Sequence, residues 1–156
     1  MPASTSILLN VGTTLSITAT APTDPNLLAT YAALTYTKFG SVESLNGTVG
    51  GNKTITNFVD LETGNTIKLA GSIDGGKLDL SVGLITGDAG LVIAKAGFDG
   101  ANKLLKHTFK ITFPDGQAAY CQGLISKIEV NVKGANDVRT CGVGIEVSGA
   151  WVTNVI

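Results

Sequence analysis

At 156 residues the chain has room for one domain around one sizeable core. Its 11 basic and 12 acidic residues leave a formal net charge of −1, which excludes a basic footprint for nucleic-acid phosphates or anionic lipid. Charged residues make up only 15%, against about a quarter in ordinary soluble chains, so we expect an assembly that hides part of this weakly charged surface.

The opening MPASTSILLN lacks the basic start and long apolar run of a secretory signal. No window reaches the roughly 20 apolar residues of a membrane helix, so the expected place of folding is a cytoplasm. TLSITAT near the start and ALTYTKF at 33–39 read as strands by period-two alternation. Between Gly40 and Asn57 the chain is rich in Gly, Asn, Ser and Thr and poor in large side chains. It reads as a hairpin or loop that adds little core, or as an arm that orders against a neighbour.

TIKLAGSID and GKLDLSVGL alternate through Ile67, Leu69 and Ile73, then Leu78, Leu80, Val82 and Leu84. Asp74-Gly75-Gly76 between them has hairpin-turn chemistry, so these two runs are expected to pair. TGDAGLVIAKAGFDG breaks the alternation: Thr86 or Asp88 offers an N-cap, Leu91, Ala94 and Phe98 recur at helical spacing, and Gly97 and Gly100 are stop signals. This predicts a helix over about residues 88–97, packed by its Leu91 face.

LKHTFKITF, the Pro114-Asp115-Gly116 turn and AAYCQGLISKIEVNV form the next strand pair, and TCGVGIEVSGAW closes the series. In the long strand the apolar side is odd at Ala119, Cys121 and Ile125, then even at Ile128, Val130 and Val132. A one-residue shift turns every side chain to the other face, so a bulge is expected near Ser126 and Lys127. Trp151 continues the odd face of Val143, Ile145 and Val147, which favours a core position over an interface.

Catalytic and ligand-binding patterns are sparse. The one histidine, His107, shares the odd face with Leu105, Phe109, Ile111 and Phe113 and reads as a hydrogen-bonded core or edge residue. Asp74, Asp88, Asp99, Asp115 and Asp137 sit beside glycines as turn residues or caps, without the spacing of a calcium loop. GTVGGN and GANDVRTCGVG lack the context of a phosphate cradle, and the sequons at Asn46 and Asn52 lack a secretory signal. Counting back through a hairpin over 133–138 sets Cys141 opposite a residue near Val130, about nine positions from Cys121. That is roughly 30 Å, too far for a disulfide within the chain. No enzyme, metal or cofactor is expected.

The order of features, a β-rich first half, a glycine-rich arm, the helix DAGLVIAKAGFDG, then ITFPDG, a long strand and the terminal IEVSG, resembles the major tail tube proteins of long-tailed (siphophage-like) bacteriophages. The resemblance spans nearly the whole chain and departs from the family in the long apolar stretch SILLNVGTTLSITAT. It implies a mainly β fold, a β-sandwich or half-open barrel flanked by one short helix, forming one tail-tube-like domain over 1–156. It also implies six copies closing into a ring, and rings stacking into a tube through which DNA leaves the virion. Tail tip or baseplate, tape measure and tail terminator proteins are the implied partners, with DNA passing unbound, no membrane contact, and assembly in the bacterial host cytoplasm. A near-neutral to acidic protein suits that task, because a basic lining would hold phosphates.

Within this picture the expected subunit contacts are the N-terminal arm, Ser41, Leu45, Asn46, Gly50, Asn52 and Thr54 in the glycine-rich segment, and Val152, Asn154 and Ile156 at the end. The alternative is another phage or secretion-system assembly subunit, from a baseplate, fibre or secretion tube. A sugar-binding sandwich would need exposed aromatics on one face, and a hydrolase is disfavoured by the apolar setting of His107.

Overall fold

The computed structural model describes residues 11–101 and 103–154. The fold is mainly β. Its strands are β1 (Thr14–Thr18), β2 (Thr37–Lys38), β3 (Val42–Gly47), β4 (Asn52–Val59), β5 (Thr66–Asp74), β6 (Lys77–Gly83), β7 (His107–Thr112), β8 (Ala118–Asn131), β9 (Thr140–Val147) and β10 (Val152–Thr153). The helices are α1 (Leu28–Ala32) and α2 (Ala89–Phe98). The five-residue α1 has no counterpart in the sequence reading.

One antiparallel sheet runs β2-β1-β7-β8-β9-β6-β3, with β10 beside β8, and β4 and β5 form a separate two-stranded sheet. β8 is the corner. Ala118–Gly123 pairs with β7, and Gly123–Asn131 pairs with β9. The register slips between Ile125 and Lys127, where the switch from odd to even apolar positions demands a bulge. Ile128 still packs on the core beyond it, but Val130 and Val132 face solvent instead of continuing the apolar side.

Alternating side chains from both halves of the sheet meet in one core, including Leu15, Ile17, Leu78, Leu80, Val82, Phe109, Ile111, Val143 and Ile145. α2 covers it. Small residues, Gly90, Ala94 and Gly97, make its buried face, and Leu91 and Ile93 flank them half-buried. Gly97 is therefore not a stop signal: it lies inside the helix, where an added Cβ would come within 2.6 Å of the His107 ring. Phe98 is 40% exposed, so it lies off the packed face. Asp88 is the N-cap, its Oδ1 accepting from the Gly90 and Leu91 amides.

A second cluster, Tyr31, Ala118 and Tyr120 with Leu28, Tyr36 and Val152, packs α1 and β10 against β8. Trp151 is half-buried on the main core and donates its indole N–H to the Gly75 carbonyl at 2.9 Å.

The expected pairing of TIKLAGSID with GKLDLSVGL does not occur. Both edges of β6 are taken, by β3 and β9, and β5 pairs with β4. Asp74-Gly75-Gly76 is still a turn, with the Gly76 amide donating to Asp74 Oδ1, but its peptides are held by Val147 and Trp151. The burial of Leu78, Leu80 and Val82 against the exposure of Ile67, Leu69 and Ile73 follows from this.

Candidate assembly surfaces

The glycine-rich segment divides between two structures. Its first part is β3, an edge strand of the main sheet, and its second part begins the β4–β5 hairpin. Every residue of both hairpin strands is exposed. Directly opposed residues share a face, so Phe58 with Ile67 and Thr56 with Leu69 form one surface. Ile55 with Ala70, Val59 with Thr66 and, past a register slip, Lys53 with Ile73 form the other. Phe58, Ile67 and Leu69 are 57%, 46% and 54% exposed, although hairpin-face hydrophobes ordinarily pack on a core. An isolated two-stranded hairpin is marginal in water, and one apolar on both faces calls for cover on both.

A second surface lies where the sheet fails to close. β1 and β3 approach each other across an open seam, and both line a cleft of about 640 Å³. Its lining includes Leu15, Leu45, Val49, Leu78, Ile111 and Phe113. At one end the seam is shut by the chain itself, since Phe39 N–H donates to the Leu15 carbonyl and the Gly40 amide to Asp88 Oδ2.

The residues expected at subunit contacts fall into three places. Ser41 is exposed and its carbonyl accepts from Gly83 N–H, Leu45 is half-buried opposite Leu80, and Asn46 is exposed opposite Asp79, all beside the seam. Gly50 lies in the turn leading to the hairpin, which carries Asn52 opposite Asp74, and Thr54 at the register slip. Val152 packs into the tyrosine cluster, and Asn154 Oδ1 accepts from the Ala118 amide at 3.1 Å, so both already serve the subunit's own fold. Ile156 and the N-terminal arm up to Asn10 lie outside the described residues. In the sequence Ile67, Leu69 and Ile73 read as ordinary strand positions, and Phe58 carries no reading. The tract DLETGNT between them is the turn that would have separated them from the core strands: Asp60 accepts from the Glu62 amide and the Thr63 hydroxyl, which hold its carboxyl below the usual range.

His107 is buried on the core side, its Nδ1 3.2 Å from the Leu105 carbonyl. The glycine-flanked aspartates act locally. Asp115 accepts from Gln117 N–H, Asp137 from Gly134 N–H, and Asp99 pairs with Lys95 at 2.6 Å. Among the described residues no group of three metal-ligating side chains comes together. Cys141 stands opposite Val130, and Cys121 and Cys141 are separate, buried free thiols. Burial pushes the Cys121 thiol far above its ordinary value, which keeps it protonated and inert.

No protein-family model matches the chain, and no curated protein sequence does. Solved structures do match. The sheath/tube terminator of the extracellular contractile injection system PVC, in its extended state, aligns with a TM-score of 0.66 at 13% identity, over 97% of this chain and 100% of that one. The tube-terminating cap of the anti-feeding prophage aligns at 0.63 and 13%, over 99% and 95%. The SPP1 tail tube aligns at 0.61 and 15%, over 95% and 79%. At these identities the likeness establishes the fold, a tail-tube-like one that extends over nearly the whole chain.

Proposed function

We propose that this protein is a structural subunit, not an enzyme, that closes with five copies of itself into a ring and stacks as rings into the tube of a phage-like tail. The observation that carries the proposal is the β4–β5 hairpin, which presents apolar side chains on both faces with nothing among the described residues to cover them. A neighbour in the ring and a neighbour in the next ring would supply one cover each. The major tail tube protein of a siphophage-like virion is the specific form we favour, with DNA ejected through the lumen. Tail tip, tape measure and terminator proteins are the proposed partners, and the host cytoplasm the proposed place of assembly. The whole chain is then one tail-tube-like domain, with the hairpin as its reaching arm.

A cap or terminator, which forms a ring and stops, is the second reading, favoured by the likeness to two terminating proteins over almost the full chain. Negative-stain electron microscopy of the purified chain over a range of concentrations tests both. Six-fold tubes support the tube subunit, and single six-fold rings at every concentration support the cap. A ring of another symmetry would move the assignment to a baseplate, fibre or secretion-tube subunit.

A further inference from the structure

The two ends of the β6–β9 strand pair carry opposite characters. The β4–β5 hairpin leaves the sheet at the Lys77–Glu146 end, where Gly47 also stands opposite Leu78. At the other end, past Gly83 and Thr140, the loop between β8 and β9 and the residues after β6 form a cleft of about 390 Å³. The seven residues of β6 set these ends roughly 20 Å apart. The hairpin tip is acidic around one bare hydrophobe: Leu61 is 96% exposed between Asp60 and Glu62. The cleft shows the converse. Val132 in its lining is 93% exposed and Val138 70%, beside Lys133 and Arg139, the chain's single arginine. Among the described residues neither of these cations, nor Glu62, belongs to an ion pair. Asp137, the one acid in the lining, accepts from the Gly134 amide and so pins the loop. No tip residue lines the cleft of its own chain.

We propose that this cleft receives the hairpin tip of a second copy, with Glu62 pairing with Arg139, Lys133 standing against Asp60, and Leu61 covering Val132 and Val138. The inference rests on the reading of the chain as a tube subunit and names the contact that stacks one ring on the next. Charge complementarity selects the occupant: an acidic tip meets a net basic cleft, and a planar guanidinium takes a carboxylate in two parallel hydrogen bonds. Both partners are shaped before they meet, which lowers the cost of ordering them. At the tip Asp60 N–H donates to the Asn65 carbonyl, and the Asp60 carboxylate accepts from the Glu62 amide and the Thr63 hydroxyl. At the cleft the Leu84 amide donates to the Arg139 carbonyl. A contact between opposite ends of successive copies is heterologous, so it does not close between two subunits and continues from ring to ring.

The test is charge exchange in the full-length chain, with Glu62→Lys, Arg139→Glu and the two together, followed by sedimentation and negative-stain microscopy across concentration. Both positions are exposed, so the urea midpoints of all three variants should match wild type. Each single reversal is expected to raise the concentration needed for tubes by about tenfold or more and to leave single rings, and the double variant to recover tubes near the wild-type concentration. Single reversals that assemble as wild type does, or a double variant no better than either, would overturn the tip contact and leave the tube reading in place. A wild type that stops at single rings or monomers at every concentration would overturn both.

Discussion

Asp88 holds two pieces of backbone at once. One carboxylate oxygen caps α2 through the Gly90 and Leu91 amides, and the other accepts from Gly40 N–H, in the link between β2 and β3. Asp88→Ala therefore removes the cap and leaves a partly buried amide unpaired, and is expected to cost about 1–3 kcal/mol in urea unfolding. A loss near zero would mean that the helix is fixed by Ala94 and its neighbours alone. The tyrosines make a separate prediction. Burial pushes the Tyr36 phenol far above its usual value, reinforced by the neighbouring Tyr120 and Tyr31, and burial raises Tyr31 and Tyr120 as well. The folded state thus holds the neutral phenol while the unfolded chain ionises from about pH 10. This contribution is fully present below that pH and is lost as the pH rises above it. Urea midpoints for wild type and Tyr36→Phe should fall together up to about pH 10 and diverge beyond it, the variant falling less steeply. Parallel curves would remove Tyr36 as a cause.

Elements were legible in proportion to how local their cause is. The cap at Asp88, the turn at Pro114-Asp115-Gly116 and the bulge beside Lys127 are written in a few neighbouring residues, and each is present. The partner of β5 was not legible, because Ile67, Leu69 and Ile73 alternate as a core strand does. The choice was made elsewhere, by β3 and β9 occupying the edges of β6. The same non-local choice explains why the exposed apolar faces of the hairpin were not legible: Asn52 and Thr54 are expected contacts from the sequence, whereas the exposure of Phe58 and Leu69 beside them depends on where β5 pairs. A consequence belongs to this scale. Because no hairpin residue belongs to a core cluster among the described residues, Leu69→Lys on one face and Ile55→Lys on the other should each change monomer stability by no more than about 0.5 kcal/mol. Sedimentation should show that both weaken association. If each face meets a different neighbour, the two variants arrest at different species. Identical arrest would mean that a single contact covers both faces.

For the whole molecule, low charge and the exposed apolar hairpin are what the proposed polymeric subunit requires. A sheet whose edge strands among the described residues are β2 and β3 invites edge pairing with copies of itself, and ring closure satisfies such edges without leaving a growing end. A net charge of −1 does not disperse the subunit strongly and, in the proposed tube, would not hold the phosphates of passing DNA. These properties set the central claim, that function lies in self-complementary surfaces led by the hairpin. The most direct test is negative-stain microscopy with sedimentation of wild type and Leu69→Lys, side by side across concentration. We predict six-fold rings or tubes for wild type and folded monomers for the variant. Assembly unchanged in the variant, or wild type that stays monomeric at every concentration, would contradict the account.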